Sequence, residues 1–84
     1  MPTGSVTELG VDETREWLGR ATASCWVLTW DAAGICLCRA RDAEPWGQTL
    51  AGREARLFCP EWELRLRPTA GGHRGWLYRE GGAD

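Results

Sequence analysis

Residues 61–67 read Glu-Trp-Glu-Leu-Arg-Leu-Arg, and their strict alternation of charged and apolar side chains decides the fold class. Successive side chains of a β-strand point to opposite faces of the sheet, so Trp62, Leu64 and Leu66 share one face. The charged side chains between them share the other face. This stretch therefore predicts a strand of an antiparallel sheet that is buried on one face and wet on the other.

The sequence on both sides of this strand continues in short β-rich runs separated by turn residues. Residues 54–59 precede it across Pro60, and residues 74–79 follow a glycine-containing turn. Further upstream, residues 24–41 contain two β-rich runs around an Asp-Ala-Ala-Gly turn and predict a hairpin. Residues 42–53 hold one proline and two glycines, which predicts a loop that could include one helical turn.

One short amphipathic helix is predicted at residues 12–21, where Asp12 can cap the first turn and Trp17 and Leu18 lie on one face. The glycine-containing ends, residues 1–10 and 81–84, are expected to be frayed. The 84 residues are therefore expected to form one small α+β domain. Its predicted architecture is a short N-terminal helix followed by an antiparallel meander of about five strands, or a small open barrel.

The net charge excludes a protein that binds nucleic acid through the electrostatic attraction of its whole surface. Ten arginines and no lysine stand against twelve acidic residues, which gives a net charge of −2. Any contact with nucleic acid must therefore be local.

No apolar run approaches the roughly 18–20 residues of a membrane span, and the N-terminal residues lack the pattern of a signal peptide. A cytoplasmic protein with no membrane contact is expected.

The four cysteines predict neither a metal site nor a disulfide framework. Their spacing lacks the paired Cys-x-x-Cys knuckles of zinc sites, and a reducing cytosol keeps thiols free. Cys36 and Cys38 lie two apart in a predicted strand and are expected to be small buried residues on one face. Most of the six tryptophans are expected to lie in the core, because a small domain needs dense apolar side chains.

Residues 54–67, Glu-Ala-Arg-Leu-Phe-Cys-Pro-Glu-Trp-Glu-Leu-Arg-Leu-Arg, and residues 71–77, Gly-Gly-His-Arg-Gly-Trp-Leu, resemble the signature of a known family. That family is the small accessory subunit of type III-D CRISPR effector complexes. The resemblance covers residues 24–80, although Cys59-Pro60 stands where a polar turn is usual and the chain is shorter than typical members. It implies a non-catalytic subunit, structural or RNA-associated, of an antiviral ribonucleoprotein built on a guide RNA.

Five arginines are the predicted contacts with guide or target RNA, or with other subunits of such a complex: Arg56, Arg65, Arg67, Arg74 and Arg79. Two of them lie on the wet face of the strand at residues 61–67, and the others lie on adjoining predicted strands. Arginines placed there can bind backbone phosphates. Alternatively, glutamates on the same strands pair with them and form an ordinary solvated surface, or the face docks a protein partner.

Catalysis is not expected, and neither is a cofactor. The single histidine, His73, follows a pair of glycines and has no nucleophile pattern around it. The same glycines lack the residues that complete a phosphate-binding loop. The alternative function is a free-standing β-domain that binds a peptide or sugar through an exposed platform of Trp30 and Trp46.

Overall fold

The computed structural model describes residues 4–80, and within them six antiparallel strands form one open sheet. The elements are β1 (Gly4–Leu9), α1 (Val11–Leu18), β2 (Trp26–Asp31), β3 (Gly34–Arg39), a 3-10 turn (Ala40–Asp42), α2 (Trp46–Thr49), β4 (Glu54–Phe58), β5 (Trp62–Thr69) and β6 (Gly72–Glu80). The strands lie in the order β1-β6-β5-β4-β2-β3. The α+β class is confirmed, as are the hairpin of β2 with β3 and the helical turn in the loop before β4.

The predicted strand count and the barrel alternative are wrong, because residues 4–9 form an additional strand and the sheet stays open. These residues were expected to be frayed, but β1 pairs along its whole length with β6, with Val6 opposite Tyr78 and Leu9 opposite Gly75. The strands also depart from a meander order, because β4 pairs with β2 and not with β3, the strand that precedes it in the chain. The helix consequently follows a strand rather than beginning the domain. Residues 1–3 and 81–84 lie outside the described residues.

The core lies between one face of the sheet and the two helices. The alternation at residues 61–67 is confirmed, because Leu64 and Leu66 are buried and Trp62 packs half-buried against them. The helices and the loop before β4 add Leu18, Ala40, Ala43 and Leu50 to this core. The expectation that most of the tryptophans lie in the core is wrong, since only Trp17, Trp46 and Trp62 pack against it and none of the six is fully buried. Leucine and alanine side chains fill most of the space between sheet and helices instead.

Helix α1 approaches β6 closely at Gly75. The helix begins after Gly10, whose backbone N–H donates to Glu13 Oε1 at 3.2 Å and whose carbonyl accepts from the Thr14 hydroxyl at 2.7 Å. That threonine is buried directly over Gly75. A Cβ on Gly75 would lie 2.9 Å from Thr14 Oγ1 and 3.0 Å from Leu64 Cδ1, so the glycine is what lets the helix sit on the sheet.

The cysteines depart from expectation. Cys25 and Cys59 form a disulfide across the ends of β2 and β4, with Cα atoms 4.3 Å apart. Cys36 is exposed and Cys38 is half-buried, so the prediction that both are buried is wrong. Burial raises the pKa of the Cys38 thiol, and the neighbouring Cys36 and Asp42 raise it further. The disulfide forms because the pairing of β2 with β4 brings together two cysteines that are 34 residues apart.

The close approach at Gly75 predicts that Gly75→Ala destabilises the protein by about 1–3 kcal/mol, because the added methyl group must displace Thr14 or Leu64. Urea denaturation measures the change. Gly71→Ala is the matched control, since nothing lies within 4 Å of a Cβ at that position, and it should change the free energy of unfolding by less than about 0.5 kcal/mol. Equal effects of the two substitutions would show that α1 does not rest on Gly75.

Because Cys25 and Cys59 are cross-linked, we expect only the two free thiols, Cys36 and Cys38, to react with iodoacetamide in the unfolded, unreduced protein. All four thiols should react after reduction. Replacing both Cys25 and Cys59 with alanine should lower the free energy of unfolding by about 2–4 kcal/mol, because the unfolded chain loses a covalent constraint. Cys36→Ser is the control, with an expected change below about 0.5 kcal/mol at an exposed site. Four reactive thiols before reduction would contradict the cross-link.

Candidate functional site

The second face of the sheet carries no helix, and we call it the open face. None of its side chains is fully buried. Strand registers place on it, from one edge to the other, Val6 and Glu8; Arg74, Trp76 and Tyr78; Glu63, Arg65 and Arg67; Glu54, Arg56 and Phe58; Trp26, Leu28 and Trp30; and Ile35, Leu37 and Arg39. Five of these residues are arginines and five are aromatic.

Three of the arginines lie over aromatic rings of neighbouring strands. The guanidinium carbon of Arg65 is 4.3 Å from the centroid of the Tyr78 ring. The same distance is 4.7 Å from Arg39 to Trp26 and 5.8 Å from Arg67 to Trp76. Such cation–π contacts hold the planar guanidinium groups against the sheet while their N–H donors remain available to an anion.

The open face is locally cationic although the whole chain carries a net charge of −2. Among residues 5–79, five arginines stand on it against three glutamates, Glu8, Glu54 and Glu63. Glu63 pairs with Arg65 at 3.1 Å, and Glu8 pairs with Arg74. The other three arginines of the face, Arg39, Arg56 and Arg67, have no carboxylate partner among the side chains of residues 5–79. The alternative of a surface neutralised by its own glutamates therefore accounts for two of the five arginines.

A groove of about 220 Å³ crosses the middle of the open face. Trp30 of β2 and Trp76 of β6 stand at its two sides, and Glu54, Arg56, Arg65 and Arg67 lie between them. Because β2 and β6 are separated by β4 and β5, the two strands that carry the indoles are three strand spacings apart, about 14 Å. The groove thus combines two indole side chains with three arginines and one glutamate.

The structure brings four of the five predicted arginines onto this face: Arg56, Arg65, Arg67 and Arg74. Arg79 lies on the opposite face, where it stands across from Trp62. Sequence reasoning missed Arg39 and the contribution of the aromatic residues. The sequence does indicate the aromatic contribution, because Arg74, Trp76 and Tyr78 are spaced two residues apart and alternate residues of a strand share a face.

The two tryptophans of the alternative platform lie on opposite faces of the sheet. Trp30 is on the open face, whereas Trp46 of α2 packs against the core and lines a separate cleft of about 450 Å³ on the helical side. A single ligand platform made of both rings is therefore not formed. The indole N–H of Trp46 is buried and finds no acceptor among the described side chains and backbone groups.

His73 lines the same cleft on the helical side but is held by the backbone. Its Nε2 donates to the carbonyl oxygen of Arg53 at 2.8 Å. The groove on the open face lacks a histidine, a cysteine or a hydroxyl side chain. Within residues 4–80, no three potential metal ligands cluster. The arginines and indoles of the groove can bind an anion by charge and a flat ring by stacking.

No family model, curated protein or solved structure matches the chain. Neither helix in the described part of the chain is long and apolar enough to cross a membrane. What the open face does must therefore be argued from its own geometry.

Proposed function

We propose that this protein is a non-catalytic RNA-associated protein that binds RNA through the open face. The observation that carries the proposal is the combination, on one uncovered sheet face, of unpaired arginines with aromatic rings. Guanidinium groups bind phosphate oxygens through charge-assisted hydrogen bonds. Unstacked bases lie flat on aromatic side chains, and stacking of this kind does not depend on sequence. The two residue types therefore suit the two parts of a nucleotide.

The expected affinity is modest. Three arginines without a carboxylate partner can neutralise about three phosphates, which corresponds to a salt slope near −2 for a single strand. Each base stacked on an aromatic ring adds about 1–3 kcal/mol. The net charge of −2 opposes this attraction at longer range. The isolated chain should therefore bind free RNA weakly, and strong binding would require an assembly that holds RNA and protein together.

The proposed assembly is a CRISPR-type antiviral ribonucleoprotein, with the chain as an accessory subunit of a type III effector complex. The residues that carry this resemblance, 54–67 and 71–77, make up β4 and most of β5 and β6. These three strands also carry four of the five arginines of the open face. Guide or target RNA and the other subunits of the complex are the proposed partners.

Removing two unpaired arginines should weaken RNA binding through its ionic component. We expect Arg56→Gln with Arg67→Gln to lower the affinity for a fluorescein-labelled single-stranded RNA at low salt and to reduce the salt slope by about 1.4. Fluorescence anisotropy over a salt series measures both quantities. Arg20→Gln with Arg79→Gln is the matched control, because it removes the same charge away from the open face and should leave the slope nearly unchanged.

Trp30→Leu separates stacking from charge in the same assay. It should weaken binding by about 1–3 kcal/mol and leave the salt slope unchanged, because no phosphate contact is removed. Equal loss of binding in both double-glutamine variants would contradict the proposal, since attraction would then follow overall charge rather than the open face. Undetectable binding by the wild-type chain at low salt would contradict direct RNA contact.

The assembly part of the proposal has its own test. Arg65→Glu with Arg67→Glu should loosen incorporation into a large ribonucleoprotein when a tagged chain is purified from its native cells with its RNA and partner proteins. A salt dependence that weakens in the variant indicates lost phosphate contacts, whereas reduced incorporation with an unchanged salt slope indicates a protein contact. Normal incorporation of the variant would remove the open face from the assembly site.

A further inference from the structure

Strand β3 is an unprotected edge of the sheet. It reads Gly-Ile-Cys-Leu-Cys-Arg and, within residues 4–80, pairs only with β2. The side chains of Ile35 and Leu37 are 77% and 59% exposed, the highest values among the exposed large hydrophobic residues. An edge strand presents unpaired backbone N–H and C=O groups, and natural proteins usually guard it with charge, proline or a bulge. Residues 34–38 contain neither charge nor proline.

The other edge of the sheet is guarded. Strand β1 carries Ser5, Thr7 and Glu8, and Glu8 is tied by an ion pair to Arg74 of the neighbouring strand. Val6, which is 56% exposed, is the one large aliphatic residue that this strand places on the open face. The two edges therefore differ in chemistry, and only β3 offers two adjacent aliphatic side chains beside free backbone groups.

We infer that β3 pairs antiparallel with β3 of a second copy of this chain, around a two-fold axis perpendicular to the sheet. Residues that stand directly opposite each other in such an arrangement must lie on the same face of the sheet. The two-fold axis therefore passes between the two copies of one residue. An axis at Cys36 pairs Ile35 of each copy with Leu37 of the other. The four aliphatic side chains then cover one another on the open face, which is self-complementarity of the kind that a two-fold interface requires.

Charge and side-chain chemistry select this register over its alternatives. An axis at Leu37 would instead place Ile35 opposite Arg39, which pairs an aliphatic side chain with a charge. A parallel arrangement would set the two ends that carry Arg39 and Arg41 side by side. The antiparallel register moves those ends apart, so the arginines of the two copies do not face each other.

The dimer would join two six-stranded sheets into one, with both open faces on the same side. Two RNA-binding faces in one rigid body raise the effective concentration of the second face once the first is bound. The pairing itself does not depend on RNA. Its test therefore uses the complete chain without RNA, and its failure would leave the proposed function untouched.

The first test is the oligomeric state by analytical ultracentrifugation over a range of concentrations. The wild-type chain should show a dimer that dissociates on dilution, because one six-residue strand forms a small interface. Ile35→Lys with Leu37→Lys should raise the dissociation constant by more than about tenfold, since lysine guards an edge strand. Circular dichroism checks that the variant is folded, as expected for two exposed positions.

Val6→Lys is the matched control, because it places the same charge on an exposed aliphatic residue of the open face at the other edge. It should leave dimerisation unchanged. A wild-type chain that is monomeric at every concentration would overturn the inference. Open-ended polymers that Val6→Lys abolishes would also overturn it, because they would indicate that β3 pairs with β1 of the next copy.

The second test fixes the register in otherwise wild-type protein through the exposed thiol. Cys36 would stand opposite Cys36 of the second copy, within the Cα separation that a disulfide allows for directly paired residues of antiparallel strands. Copper(II) phenanthroline should therefore cross-link Cys38→Ser into a dimer. Each thiol loses one proton and one electron, two copper(II) ions are reduced to copper(I), and one S–S bond forms. Cys36→Ser should not cross-link, and cross-linking through Cys38 alone would refute this register.

Discussion

The packing of both helices on one face of the sheet is the constraint on which the rest of the structure depends. Helices of eight and four residues can cover one face of six strands but not two. The buried face therefore takes the aliphatic residues of the core, mostly leucines, and the glycine at position 75, which lets α1 lie close to the sheet. The other face must meet water or a partner, and its composition follows from that.

Three of the five aromatic rings on the open face, those of Trp26, Trp76 and Tyr78, lie under arginine side chains. A guanidinium group is weakly hydrated and planar, so it can cover a ring and still present hydrogen-bond donors outward. An exposed aromatic face without arginines over its rings would bind other molecules non-specifically and promote aggregation. With them, the same residues present guanidinium donors and aromatic ring faces side by side on one surface.

Long-range strand pairing decides features that local sequence does not reveal. Residues 4–9 are mostly polar and read as a frayed end, yet β6 supplies a full ladder of backbone hydrogen bonds and makes them a strand. The same effect joins Cys25 to Cys59, because β2 pairs with β4 and not only with its hairpin partner. It also leaves β3 at an edge, where its aliphatic side chains remain exposed.

The sequence by itself determined the two-faced strands, the hairpin, the short helix and four arginines of the open face, because a period of two residues reports which side chains share a face. Only the tertiary structure decided the strand order, the disulfide, the separation of Arg79 from the other arginines and the opposite placement of Trp30 and Trp46. These features depend on which strands become neighbours and on which face the helices cover. Both are set by contacts between residues far apart in the chain, which local periodicity does not encode.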